Sequence, residues 1–392
     1  LVGSEMCIRD RTGTNTFYTF DGCTFSGNTT TTGAPLYLIS SAGADVSNSA
    51  FTGNVTTGSN SGGAIFGSGA TILVKSTTFS SNRAYQGGAI YASGASRIVV
   101  QDSTFFANAT TGGSGGAMYL TNISVGAYFS DNYFVENSTT TLGGAFYLEG
   151  ATPVALFNNT LAGNSAASGG GIYVAGTAGA FLLHNIITQS TGYGVYQSVA
   201  PARVVAWYND VYSNTTGGYF GLTDPTGLRG NLSVDPGFIA YSKDGNLAND
   251  DLTLSGGSVL RNAGSSTFVD GDGSRADLGV GGSNDAVSGG ETYRVSPIGD
   301  APYRTISAAL AAAPNGSTIV VYPGIYQEEV NFAGKAVTLT SALTAHTVVL
   351  GSQSVALKFI TGETSASIVD NLTVFTNGGY AVQTTNASPQ LL

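Results

Sequence analysis

Residues able to move protons, hold a metal or attack an electrophile are scarce in this chain. Its 392 residues include 2 His, 2 Cys, 14 Lys+Arg and 24 Asp+Glu, so charged residues make up only 10%. Acid–base cleavage of a glycosidic bond needs two carboxyl groups flanking that bond. The candidates are Asp250-Asp251 and the isolated Asp210. Proton abstraction next to a carboxylate needs an Arg or Lys base and acids that hold Ca²⁺. Lys75, Arg83, Arg97 and Arg203 supply bases, but few of the acids (Asp45, Asp102, Asp131, Glu136) line up beside them. His184 and His346 have no acidic, Ser or Cys partner at motif spacing and read as surface strand residues, while Trp207 reads as packing near the end of the repeats. The run Asp270-Gly-Asp272-Gly-Ser274-Arg-Ala-Asp277 has the oxygen-rich, Gly-turned composition of a Ca²⁺ loop without its spacing or terminal Glu. A capping turn whose Asp side chains bond their own backbone is the preferred reading, with Ca²⁺ at Asp270, Asp272 and Asp277 as the alternative. No other cofactor is expected.

A repeat must position whatever these residues do. The phrase Gly87-Gly88-Ala89-Ile90-Tyr91 returns as Gly62 to Phe66, Gly115 to Tyr119, Gly143 to Tyr147 and, more loosely, Gly169 to Tyr173. Between the copies stands Phe-x-x-Asn: Phe25 to Asn28, Phe51 to Asn54, Phe79 to Asn82, Phe105 to Asn108, Phe134 to Asn137, with Leu161 to Asn164 a near copy. Successive Asn residues are 26, 28, 26, 29 and 27 positions apart. Such a period, built from short strands and Gly/Asn turns, marks a solenoid whose repeats bury a face only by stacking.

Within each repeat the apolar residues alternate. Ile65/Gly67, Ile90/Ala92, Met118/Leu120, Phe146/Leu148 and Ile172/Val174 share one face, and Ile72/Val74, Ile98/Val100, Ala127/Phe129 and Val154/Leu156 do the same in the preceding segment. Period two with one apolar face is a strand with one side in a core. Two or three such strands per turn predict an all-β, right-handed parallel β-helix. Leu-x-x-Leu-x-Leu spacing is missing, and no 3.6 period appears. The Phe residues are expected to stack inward. Asn28, Asn54, Asn82, Asn108, Asn137 and Asn164, a residue type tolerant of left-handed backbone, are expected to form a ladder of amides in the turns.

The opposite face of the Gly-Gly-Ala strand carries Tyr37, Phe66, Tyr91, Tyr119, Tyr147, Tyr173 and Tyr196, with Ser68, Ser93, Thr121, Glu149 and Ser198 two residues on. At about 4.8 Å per coil these rings make a strip roughly 29 Å long. Cross-strand stabilisation is its simplest role. Its functional reading is a platform for a glycan chain or a partner protein.

Composition narrows the class. A net charge of −10 argues against a nucleic-acid or anionic-membrane surface, and no apolar run is long enough for a transmembrane helix. Cys7 and Cys23 are too few for a disulfide framework. Few lysines with many Thr, Ser and Asn suggest a secreted, cell-surface or outer-membrane-associated protein. Asn-x-Ser/Thr sequons occur at Asn28, Asn54, Asn108, Asn122, Asn137, Asn214 and Asn371, several coinciding with the turn Asn, and read as ladder residues first and glycan acceptors second.

Taken in order, residues 1–11 (LVGSEMCIRDR) stand outside the repeat and look like a translated sequencing adaptor. Residues 12–282 form the β-helix, its closing cap at about 230–282. There Asp235-Pro-Gly-Phe238, Leu252-Thr-Leu254 and Asp272-Gly-Ser-Arg-Ala-Asp-Leu-Gly279 resemble the closing segment of many bacterial β-helix proteins. Residues 283–291 read as a polar linker. In 292–392, Pro302-Tyr-Arg-Thr-Ile306, an Ala-rich helix at about 305–313 ended by Pro314-Asn315-Gly316, and Pro323-Gly-Ile-Tyr326 resemble the opening of pectinesterase-like β-helix domains, where a short helix covers the first coil. The chain therefore reads as the end of one β-helix and the truncated start of another.

The phrases Gly-Gly-Ala-Ile and Phe-x-x-Asn resemble, over roughly residues 20–215, the repeats of polymorphic outer-membrane proteins, which implies an adhesive passenger. Polygalacturonase-like enzymes of this fold would need clustered aspartates with Gly-His-Gly and Arg-Ile-Lys, which are missing, and pectinesterase-like ones an Asp pair and Gln in later coils. The preferred function is a non-catalytic adhesion or surface-display solenoid that contacts a polysaccharide, a cell-surface glycan or a protein. The rival is a piece of a polysaccharide lyase or hydrolase whose catalytic coils lie elsewhere. Oligomeric state is not legible.

Overall fold

From Phe17 to Phe220 each turn of chain lays down the same three strands. They are seen in a computed structural model that describes residues 17–94, 97–123, 126–150, 153–199, 204–266, 268–270, 274–281, 286–287, 293–296, 302–322, 325–341, 347–351, 355–376 and 379–392. One turn runs Arg97–Gln101, Thr104–Phe106 and Met118–Thr121, with the short corner strand Ala109–Thr110 between the last two. Equivalent strands pair in parallel with the next turn, giving three eight-stranded sheets, here A, B and C in chain order. The chain divides into two compact units, Leu1–Ala286 and Val287–Leu392. The adaptor-like residues 1–11 and most of 283–291 fall outside the described residues.

The register follows the alternation. Ile90 pairs with Ile65 and Met118, Ile98 with Ile72 and Ala127, and Phe79 with Phe51 and Phe105. Phe51, Phe79, Phe105 and Phe134 are fully buried, and Leu161 continues their row. Ring centroids from Phe25 to Phe134 follow at 4.4, 5.0, 4.5 and 4.7 Å, with planes within 9° of parallel. Each ring adds about 1.5–3 kcal/mol of burial and about 0.5–1.5 kcal/mol per stacked pair.

Polar ladders hold the corners. Each Asn amide of Asn28, Asn54, Asn82, Asn108 and Asn137 donates to the Oδ1 of the next, at 2.8–3.0 Å, ending on Asn164. The left-handed backbone falls one residue earlier than the sequence suggests. Positive φ occurs at Gly27, Gly53, Ser81, Ala107, Glu136 and Gly163, each directly before a ladder Asn. The preceding residue makes the bend, and the Asn side chain then replaces the strand bonds that the bend interrupts.

A second ladder at the A–B corner has no single residue type. Asn132, Asn159, Asn185, Asn209 and Asn231 are linked amide to amide. In earlier turns Ser49, Thr77 and Ser103 take that place, each hydroxyl accepting from the preceding coil's backbone N–H.

The segment expected to close the last coil does more. Leu232 bridges to Asp210 and extends sheet B, after which the chain turns back along the outside of the coils. Its antiparallel pair Phe238–Ala240 and Asp251–Leu254 places Leu252 against Val135 and Ala162, and Leu260 and Leu278 cover Ile186. Lys243 Nζ donates to the Gln189 carbonyl at 2.8 Å, and Val280 N to Thr160 Oγ1 at 3.1 Å. This strap explains why the outward residues of sheet B change character. They are Thr24/Ser26 and Thr78/Ser80 in open coils, but Tyr133/Val135 and Thr160/Ala162 beneath the strap.

In the second unit, sheets of five, three and three parallel strands enclose Ile319, Val321, Phe332, Leu339, Leu357 and Phe359. The helix Ile306–Ala312 buries Ile306, Ala309 and Leu310. Glu328 accepts from the backbone N–H of Ile306 and Ser307 at its start. Lys335 donates to the carbonyls of Ala311 and Ala313 at its end. Seven residues are too few to be helical alone, so clamps at both ends offset the cost of nucleation.

Candidate functional site

The chemistry-bearing side chains are dispersed. Lys75 and Asp102 lie 4.0 Å apart, both exposed on sheet A. Asp250 accepts from the backbone N–H and hydroxyl of Ser242, and Asp251 from the N–H of Thr253, so each serves its own turn. Asp210 is fully buried; burial pushes its carboxyl up to about 7, against a bond from the Val234 N–H. Among the described residues no three His, Cys, Asp or Glu are grouped to hold a metal ion. Asp277 accepts from Asn262 N at 2.6 Å and lies 3.9 Å from Arg261, and Asp270 faces Ser274 and the Asp277 N–H. Asp277 is thus tied to the segment around Asn262, fifteen positions away, and Asp270 to its own loop; Asp272 lies outside the described residues.

His184 departs from the sequence expectation of a surface strand position. It occupies the positive-φ site of the A–B corner, at +59°, and is 1% exposed. The strap covers it. Burial, with Arg275 nearby, lowers its pKa to about 3. His346 lies outside the described residues. Trp207 is buried in the last turn of sheet A, between Phe181 and the Arg229 guanidinium.

The ring strip is the feature that the fold brings together. Tyr37, Phe66, Tyr91, Tyr119, Tyr147, Tyr173 and Tyr196 occupy one register on sheet C, opposite the inward residues. Centroids follow at 4.7, 5.2, 5.3, 4.7, 5.5 and 4.8 Å. Phe220 adds an eighth ring at 4.4 Å from Tyr196, at a position that the sequence reading did not include. Sheet pairing at coil spacing fixes these distances, so nearly parallel rings cover each other's faces. Tyr37 and Phe220 at the ends are 49% and 42% exposed, whereas Tyr119 and Tyr147 in the middle are 8% and 9%. The strip is therefore a ridge of ring edges and hydroxyls, and open ring faces occur only at its ends.

One acid joins the ridge. The Tyr119 hydroxyl donates to Glu149 Oε2 at 2.6 Å. Burial first, and this bond second, raise the Tyr119 phenol well above its ordinary range. Burial, with Glu149 and Tyr173 beside it, pushes Tyr147 up to about 12. Burial also raises Tyr91 and Tyr173, so these four phenols keep their protons near neutrality, with the Tyr119 hydroxyl already given to Glu149.

The helices among the described residues are all too short or too polar to cross a membrane. Comparison with curated proteins finds no match. Among solved structures, a PL6 family alginate lyase, AlyGC, is similar at 11% identity, with 97% of this chain and 72% of that chain covered and a TM-score of 0.20. A point mutant of the same lyase is similar at 10% identity, with 95% and 70% covered and the same TM-score of 0.20. Residues 10–185 match the family model described as a right handed beta helix region. The parallel register of its sheets and this match together show the fold to be a right-handed parallel β-helix.

Proposed function

We propose that the protein is a non-catalytic solenoid of the adhesion or surface-display kind, working outside the cell or at its surface, with the ring ridge of sheet C as its contact face. The observation that carries this reading is the unbroken row of eight outward rings from Tyr37 to Phe220. Core packing does not demand it, because the inward residues of the same strands already fill the core. Cross-strand pairing alone rewards each neighbour by about 0.2–1 kcal/mol, and β-branched residues would serve that purpose as well. A rigid row of rings at coil spacing, six of them phenols and one of these bonded to Glu149, offers ring edges and hydroxyls to a repeating ligand. A polysaccharide or a glycan-bearing surface is such a ligand.

The test separates stacking from contact. Tyr91, Tyr119 and Tyr147 replaced together by Ser remove the central rings; Tyr91, Tyr147 and Tyr173 replaced by Phe keep the stack and remove hydroxyls. Circular dichroism establishes that each variant remains folded. Retention on immobilised polysaccharides and on cell surfaces is expected to fall at least about tenfold for the Ser variant, and partly for the Phe variant. Unchanged retention by both variants would reduce the ridge to a structural ladder.

A further inference from the structure

The strap Leu232–Gly281 lies over two buried titratable residues of adjacent coils, one an acid and one a base. Asp210 is fully buried; its Oδ1 accepts from the strap's Val234 N–H at 2.9 Å, and Oδ2 has no partner among the described residues. The groups facing it are Asp235 of the strap and Tyr219 of sheet C, neither of which is a cation. His184 Nε2 accepts from the strap's Ser265 N–H at 2.8 Å, and its carbonyl accepts from Gly279 N at 2.7 Å. Tyr208 and Phe268 meet the imidazole edge-on at 5.8 and 5.3 Å, and Arg275 of the strap stands beside it. An imidazole nitrogen that accepts a bond cannot carry a proton, and a carboxylate oxygen without a partner cannot be buried charged at low cost. The His184 contact requires the neutral imidazole, and burial with an unpartnered Oδ2 favours the neutral Asp210 carboxyl even though the Val234 N–H bond favours the charged one.

We propose that Asp210 and His184 latch the strap as a compensated pair, their opposite responses to pH holding it closed about equally well from acid to neutral solution. When the strap lifts, both side chains meet water and regain ordinary values of 3.8 and 6.5. Closure raises Asp210 to about 7, so the closed state loses favour as pH rises from 3.8 towards 7. Closure lowers His184 to about 3, so the closed state loses favour as pH falls from 6.5 towards 3. Between these limits each group changes the opening equilibrium about tenfold per pH unit, in opposite directions, and the slopes cancel. Glu136, at the strap's other end, is also raised by burial and shares the sign of Asp210. Its effect is smaller because it is partly exposed and a bond from the Gly245 backbone N–H opposes the rise.

Amide hydrogen exchange across the strap, corrected for the intrinsic rate at each pH, reads the opening equilibrium directly. For the unaltered protein it is expected to vary by less than about threefold between about pH 4.5 and 6.5. Asp210→Asn leaves His184 alone, and opening should then fall about tenfold per unit as pH rises. His184→Asn, whose side chain tolerates the left-handed corner, leaves Asp210 alone, and opening should rise about tenfold per unit. A tenfold-per-unit slope in the unaltered protein overturns the proposal, as does a flat Asp210→Asn profile. Should His184→Asn fail to fold, the comparison of Asp210→Asn with the unaltered protein decides alone.

Discussion

Gly116→Ala is expected to abolish folding or lower stability by about 4 kcal/mol or more, among the largest effects a single methyl can have. Gly115 holds the left-handed turn at φ +75°, and Gly116 is where coil meets coil. A Cβ on Gly116 would lie 2.1 Å from the Gly144 carbonyl oxygen and 2.7 Å from Ser138 N, both backbone atoms of the next turn. The same closeness recurs at Gly63, Gly88, Gly144 and Gly170, whose Cβ atoms would meet the next coil's carbonyl oxygen at 2.0–2.2 Å. Backbone cannot rotate aside as a side chain can, so the methyl must separate the two coils. Gly53→Ala is the control. It also has positive φ, at +61°, but open space around the added atom, and should cost only about 1–2 kcal/mol. Chemical denaturation of both variants checks the ordering; equal midpoints would mean that the Gly-Gly pair is there for the turn alone.

Asn108→Ala is the second large effect, at about 3–5 kcal/mol, because several buried bonds go with one side chain. Asn108 Oδ1 accepts from Asn82 N at 3.0 Å and Asn82 Nδ2 at 2.9 Å; its Nδ2 donates to the Phe79 carbonyl at 2.8 Å and Asn137 Oδ1 at 2.9 Å. Truncation strands buried donors and acceptors on both neighbouring coils, each worth about 1–3 kcal/mol. Asn108→Asp should be worse than Ala at neutral pH, since a carboxylate accepts but cannot donate to the two oxygens that remain. If Asp were better tolerated than Ala, the amide-to-amide direction of the ladder would be wrong. Asn28, in the first described turn, is bonded to a ladder neighbour on one side only, and its replacement should cost less.

What could be read before the structure depended on repetition. The inward Phe row, the Asn row and the ring row each use nearly one residue type at one spacing, because identical neighbours stack best. The A–B ladder stayed hidden because Ser49, Thr77 and Ser103 do with a hydroxyl what Asn132 to Asn231 do with an amide. The strap occurs once and so has no period. Its footprint was nonetheless written in sheet B, where Thr78/Ser80 give way to Tyr133/Val135. His184 looked like a lone strand residue because nothing in its own segment indicates Ser265, 81 positions away. For the ring row, the register was legible but the exposure was not, since only coil spacing shows that the rings hide each other's faces.

Hydroxyl-radical footprinting of the whole protein, alone and with a neutral glucan, a polyuronate or cell envelopes, tests the central claim most directly. On whichever of these retains the protein, oxidation of Tyr37, Tyr91, Tyr173, Tyr196 and Phe220 is expected to slow by about threefold or more, as for residues at the centre of a contact. Tyr380, 74% exposed in the second unit, should be unaffected, and the polymer should keep its length. Protection elsewhere with the ridge unchanged, or a polymer shortened during the incubation, would contradict a non-catalytic solenoid that binds through its row of rings.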